Sequence, residues 1–162
     1  MTCLVLVMSL VQAETRLLKV VQAGSFNASL NQTFDCVTKQ LDGLEFPICV
    51  YPPDDDIYVS ASLLRGSYFE REEITRFLRL LRVDRRLQLV NVGANIGLYS
   101  LPAARLTQVL AVEPNQRSMA RLAKAVELGS VGSNVTLVQN ALSDVRTSQI
   151  NMLIDGTNTC RD

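Results

Sequence analysis

The sequence predicts an α/β domain built on a parallel sheet with flanking helices, and three observations carry that prediction. Apolar, β-rich runs recur at residues 87–92, 109–112 and 135–138. Stretches with apolar residues at helical spacing separate them, which is the alternation of a parallel sheet. A glycine turn, Gly93-Ala94-Asn95-Ile96-Gly97, follows the first run, and the second run stops at an acid, Glu113, about twenty residues past the first glycine. That is the wiring of a nucleoside site over the carboxyl ends of neighbouring strands.

The chain begins with an apolar run, Leu4-Val5-Leu6-Val7-Met8-Ser9-Leu10-Val11, and Val11 and Ala13 stand like the small residues before a signal-peptidase cut. No basic residue precedes the run. Two readings of residues 1–13 therefore stand: an export leader, or an ordinary apolar N-terminal segment of a cytosolic protein. Asn27-Ala28-Ser29, Asn31-Gln32-Thr33 and Asn134-Val135-Thr136 match the glycosylation acceptor pattern and fit export. In an exported chain Cys36 and Cys49 could pair. Residues 22–31 are polar, contain Gly24 and read as a linker. Residues 14–43 are accordingly assigned to a linker and N-terminal extension, and residues 44–162 to the domain.

Within the domain, residues 44–51 predict a strand closed by Pro52-Pro53. Asp54-Asp55-Asp56 then precedes a helix, where acids favour the positive end of the helix dipole, and reads as a solvated cap rather than a metal site. The spacing predicts a second helix over 70–82, with Ile74, Phe77, Leu78 and Leu81 on its core face. Residues 87–92 form a strand buried on both faces, and residues 98–106 the helix after the glycine turn, where Pro102 is tolerated in the first turns. After the second strand, Asn115 caps a helix running to Leu128 and leaving at Gly129, with Met119, Leu122, Ala123 and Val126 toward the sheet. Residues 149–154 read as an extension or a hairpin arm. Right-handed crossovers set the parallel strands in the order third, second, first.

Composition narrows the function. The 162 residues suit one domain, and 48% hydrophobic content argues for a packed core. Sixteen basic residues balance sixteen acidic ones, so no basic surplus recruits nucleic acid or an anionic membrane. Histidine is absent, which removes the commonest metal ligand and the usual near-neutral general base. Cys3, Cys36, Cys49 and Cys160 form no C-x-x-C pair, which argues against a zinc site.

The composition of the turn selects the nucleoside. A dinucleotide turn places a middle glycine where the backbone meets the pyrophosphate, and Asn95 holds that position here. S-adenosylmethionine carries no phosphate and bears a sulfonium cation. It needs a tight glycine turn beside its amino-acid portion and an acid for its ribose, which Gly93, Gly97 and Glu113 supply.

At these residues the chain resembles the FkbM family of methyltransferases, a branch of the Rossmann-like, class I S-adenosylmethionine-dependent enzymes. The resemblance runs from about Phe46 to Asp155. It is carried by Phe46-Pro47-Ile48-Cys49-Val50-Tyr51, Asp56-Ile57-Tyr58-Val59-Ser60, Gly66-Ser67-Tyr68-Phe69-Glu70, the run from Asn91 to Ser100, Val112-Glu113-Pro114-Asn115, and Asn140-Ala141-Leu142-Ser143-Asp144. It implies that Gly93, Ala94, Asn95 and Gly97 line the methionine side, that Glu113 holds the ribose hydroxyls, and that Asn140 and Ala141 border the adenine. The family usually has an acid where this chain has Asn91. The resemblance therefore implies a neutral amide in the network around the cofactor's ammonium, and a hydrogen bond to a charged group contributes about 1.5–3 kcal/mol against roughly 1 for a neutral pair.

The resemblance further implies O-methyl transfer to a sugar or another small hydroxylated acceptor by in-line displacement, in which the protein supplies orientation and a general base. Asp54, Asp56, Tyr68 and Glu70 are the candidates at the substrate mouth, and the catalytic residue is left unassigned. In that fold a fourth parallel strand lies beside the first. The sequence stops at Asp162 before such a segment, so the expectation is a fragment truncated before the fourth core strand, with the 87–92 strand exposed along one edge and prone to self-association. Two other readings are carried forward: a non-catalytic remnant or interaction module of the same fold, and an NAD-dependent oxidoreductase, which also ends its second strand on an acid.

Overall fold

The computed structural model describes residues 4–8, 21–22 and 33–142. Its centre is three parallel strands in the order predicted: β5 (Gln88–Val92), β6 (Val109–Val112) and β7 (Val135–Val138), with Val92, Val112 and Val138 in register. Three apolar strands in register, each continued by a turn at its carboxyl end, put all three turns on one edge of the sheet.

The first departure from expectation lies at the flanks of these strands. The sequence leaves β5 with an open edge, but that edge is taken by β1 (Leu4–Met8), antiparallel, with Leu4 opposite Val92 and Met8 opposite Gln88. On the far side, β2 (Val21–Gln22) pairs antiparallel with β7. Residues 4–8 of the N-terminal apolar run are therefore a sheet strand, and among the described residues the sheet has five strands in the order β1, β5, β6, β7, β2. Pairing an edge satisfies a row of backbone donors and acceptors that would otherwise template association.

The second departure is a hairpin. β3 (Cys36–Leu41) falls in the stretch assigned to the extension and pairs antiparallel with β4 (Leu44–Cys49). Asp42 and Gly43 make the two-residue turn with φ of 49° and 76°, the left-handed pair that suits Asp-Gly and matches the strand twist. Cys36 and Cys49 face each other across the hairpin and are joined by a disulfide. The ordered unit thus reaches back past residue 44.

The helices follow their predicted patterns with shifted ends. In α1 (Val59–Leu64) the Asp56 carboxylate accepts from the amides of Val59 and Ser60 and from the Ser60 hydroxyl, at 3.1, 2.9 and 2.7 Å. The cap is Asp56, and it is buried rather than solvated. α2 (Arg71–Val83) buries Ile74, Leu78 and Leu81, and its Phe77 ring lies 6.0 Å from that of Tyr99. α3 (Ser100–Ala103) is shorter than the run predicted over 98–106, although backbone bonds continue the winding to Thr107. α4 (Gln116–Leu128) buries Met119, Leu122, Ala123 and Val126 as expected and starts at Asn115, whose side chain accepts from the Arg117 amide at 2.9 Å. The hairpin packs against α3 and α4, and Phe46, Ile48 and Tyr51 join the core there. Among the described residues no helix is long and apolar enough to cross a membrane.

Of the three glycosylation patterns, Asn27 and Asn31 lie outside the described residues, as do residues 149–154. Asn134 is engaged: its amide nitrogen donates to the Ala104 carbonyl at 2.9 Å, and its oxygen accepts from Gln108 at 3.1 Å.

The disulfide closes a loop with a sequence separation of 13 residues. Cross-linking a loop of that size stabilises by about 3 kcal/mol on chain-entropy grounds. Denaturant unfolding with and without reductant should show a loss of about that size, and the Cys36→Ser/Cys49→Ser double variant should show the same loss and no further response to reductant.

Candidate functional site

The site forms where the register places the carboxyl ends of β5, β6 and β7. The chain leaving β5 folds over the end of β6, because the amides of Gly93 and Ala94 both donate to the Val112 carbonyl, at 2.9 and 3.0 Å. One strand later, the Glu113 amide donates to the Val138 carbonyl at 3.0 Å. The turn after each strand is thereby tied to the end of the next strand.

The turn needs left-handed backbone at three positions, Gly93, Asn95 and Gly97, with φ of 76°, 47° and 96°. Asparagine tolerates that region better than most side chains, which explains a non-glycine at the middle position. The two glycines do different work. A Cβ on Gly93 would meet no atom within 4 Å among the described residues. A Cβ on Gly97 would run into Leu122 and lie 3.0 and 3.1 Å from Leu101 Cγ and Cδ1. Gly97 thus permits the close approach of Leu122 on α4 to the turn, a constraint that Gly93 does not carry.

Glu113 is the centre of the arrangement. It is 6% exposed; its Oε2 accepts the Asn95 amide at 2.8 Å and its Oε1 the Asn115 amide at 2.7 Å. One carboxylate therefore brackets the glycine turn and the start of α4. Burial raises its pKa, and the two amides oppose that rise. A carboxylate offers about four lone-pair positions, so two such bonds leave acceptor capacity for ribose hydroxyls.

The remaining predicted residues fall at different depths. Ala94 is buried within the turn. Asn91 is buried, and its amide donates to the Ser100 hydroxyl at 2.9 Å, fastening β5 to α3. Asn140 is exposed and Ala141 half-buried just past β7, with the Ala141 amide donating to Asn140 Oδ1 at 2.9 Å. Of the candidates at the substrate mouth, Asp56 has its carboxylate occupied by the start of α1, and Tyr68 donates to the Gln40 carbonyl at 2.8 Å. Glu70 accepts from the hydroxyl of Tyr99, two residues past Gly97, at 3.0 Å, and Asp54 is exposed. Among the described residues no cluster of His, Cys, Asp and Glu could hold a metal ion.

Sequence reasoning missed the inner support of the turn. Ser118 donates to Asn95 Oδ1 at 3.1 Å and is 2.9 Å from the buried Tyr51 hydroxyl, while the Arg121 guanidinium lies 3.7 Å from the Tyr51 ring centre. Tyr51 and Ser118 stand 67 positions apart, so no local spacing could have signalled the pair. A comparison with protein-family models finds no match to this chain, and a comparison with curated proteins finds none either.

Two outcomes test this geometry. Gly93→Ala should lose about 1–2 kcal/mol for left-handed strain alone. Gly97→Ala should lose that and a further 1–3 kcal/mol or so for overpacking against Leu122 and Leu101, and thermal melts of the two variants would rank them. The second concerns Glu113, whose raised pKa means that the folded state keeps a proton the unfolded chain releases near 4.5. Its contribution to stability is complete below that pH and is lost as pH rises through the higher folded value. The wild-type stability relative to Glu113→Gln should therefore fall across that window and level off above it in a denaturation series.

Proposed function

We propose that this chain carries the cofactor-binding half of a Rossmann-like, class I methyltransferase of the FkbM type, which takes S-adenosylmethionine and serves O-methyl transfer to a sugar or another small hydroxylated acceptor. One observation carries the reading: the strand-end carboxylate of Glu113 is hydrogen-bonded to the amide of Asn95 inside the Gly93 to Gly97 turn, so acid and turn form one rigid cradle. In this reading Glu113 accepts the ribose hydroxyls, Gly93 and Ala94 flank the amino-acid end, and Asn140 and Ala141 border the base. When bound, S-adenosylmethionine supplies an already activated methyl group. What the chain's own residues supply is orientation, and well-positioned groups contribute roughly 7–11 kcal/mol to such reactions. Glu70, whose carboxylate accepts from the Tyr99 hydroxyl, is the acid of the 54–70 segment taken as the candidate to accept a proton from an acceptor hydroxyl.

Asn91 favours a second reading. Its neutral amide is engaged with Ser100 in the core, where the resemblance calls for a charged partner, and this is the arrangement of a non-catalytic module that keeps the fold.

Titration calorimetry with S-adenosylmethionine and separately with NAD decides among the readings. Binding of S-adenosylmethionine alone is the expected result; NAD alone would move the chain to the oxidoreductases, and neither would leave the non-catalytic module. Glu113→Gln should weaken S-adenosylmethionine binding by about tenfold or more, because it replaces charged hydrogen bonds by neutral ones.

A further inference from the structure

Behind the glycine turn lies a chain of buried hydrogen bonds that neither the fold nor the ribose acid explains. Tyr51 is fully buried at the exit of β4, and its backbone amide donates to the Ser60 hydroxyl at 3.0 Å. Ser118, 1% exposed on the first turn of α4, gives its proton to Asn95 Oδ1, so the Tyr51 phenol is left as donor to the Ser118 oxygen. The order of donation is then Tyr51 to Ser118 to the Asn95 side chain, and the Asn95 amide to Glu113. Burial pushes the Tyr51 pKa up, which keeps the phenol protonated as a donor. Arg121 clasps the outer face. Its guanidinium stacks between the rings of Tyr51 and Phe34, at 3.7 and 4.8 Å, and donates to the Val50 carbonyl at 3.1 Å.

Asn95 sits at a left-handed φ of 47°, a conformation a non-glycine residue leaves unless its surroundings hold it. Its side chain is held from behind by Ser118, and its amide then points at the carboxylate in front. We propose that Tyr51 and Ser118 are positioning residues for cofactor binding: acting through Asn95, they set the orientation of the Glu113 carboxylate toward ribose hydroxyls. The inference rests on the methyltransferase reading for its ligand, but the positioning of Asn95 is a property of the ligand-free protein. The ligand class it favours is a nucleoside whose ribose carries both free hydroxyls.

The test uses the full chain as wild type, Tyr51→Phe, Ser118→Ala and the double variant, each also with Asn95→Gly. Tyr51→Phe keeps the ring under Arg121 and removes only the hydroxyl; should it fail to fold, Ser118→Ala carries the same comparison. Two quantities are read: amide hydrogen exchange at Asn95 in the ligand-free protein, referenced to Leu137 in β7, and the dissociation constant for S-adenosylhomocysteine. The expected result is faster exchange at Asn95 with Leu137 unchanged, and binding weakened about three- to tenfold by either single variant, the range for losing one hydrogen bond. The double variant should be no weaker than Ser118→Ala, because the two residues act through one path. In the Asn95→Gly background neither substitution should change binding. Unchanged exchange at Asn95, additive losses in the double variant, or an equal loss in the Asn95→Gly background would each overturn the proposal. If wild type fails to bind S-adenosylhomocysteine, the methyltransferase reading falls and this proposal's ligand with it, while the exchange arm still decides whether Tyr51 and Ser118 position Asn95.

Discussion

The carboxylate of Glu113 is the interaction on which the carboxyl edge of the sheet depends. A buried carboxylate is costly unless its oxygens are satisfied, and here two backbone amides from different elements satisfy them. One belongs to the turn after β5, the other to the residue that caps α4. The bond to Asn95 constrains a left-handed residue, and the bond to Asn115 fixes where α4 begins and hence which of its residues face the sheet. Removing the acid would leave both amides without this acceptor, so its loss reaches well beyond any ligand it might touch.

The rest of the described structure distributes support around that point. The hairpin supplies Tyr51 from below, α4 supplies Ser118 and Arg121 from the side, and β6 ties the turn down through the Val112 carbonyl. The result is a turn with three left-handed residues held by bonds from Glu113, Ser118 and Val112, which is the usual condition for keeping unfavourable φ values in a folded protein.

Much of this was legible in the sequence where local rules govern. β5, β6 and β7 are short apolar runs with helical stretches between them, and the cap at Asn115 and the core face of α4 follow from residue types at fixed offsets. Pairing choices across long separations were not legible. Nothing in Leu4-Val5-Leu6-Val7-Met8 states that its partner is β5, since an apolar β-prone run looks the same as a leader or as a strand. The hairpin was readable in principle, because Asp42-Gly43 between alternating residues is a strong turn signal; the polar residues before it drew that stretch into a linker. At the site, Gly93 and Gly97 look equivalent as letters, and only the packing of Leu101 and Leu122 around Gly97 separates them.

The placement of β1 has a consequence for how the protein is made. Leu4 pairs with Val92, so the partner of this strand is translated long after the strand itself. At roughly 5–20 residues per second, the interval is on the order of 4–18 seconds. Throughout it, an apolar, β-prone segment has no edge to join, and the β5 edge it will close does not yet exist. β5 has to be made before β1 can join it. The nascent chain therefore holds residues 4–8 without their partner until β5 has been made, an interval in which a chaperone that shields extended apolar peptides has a segment to hold.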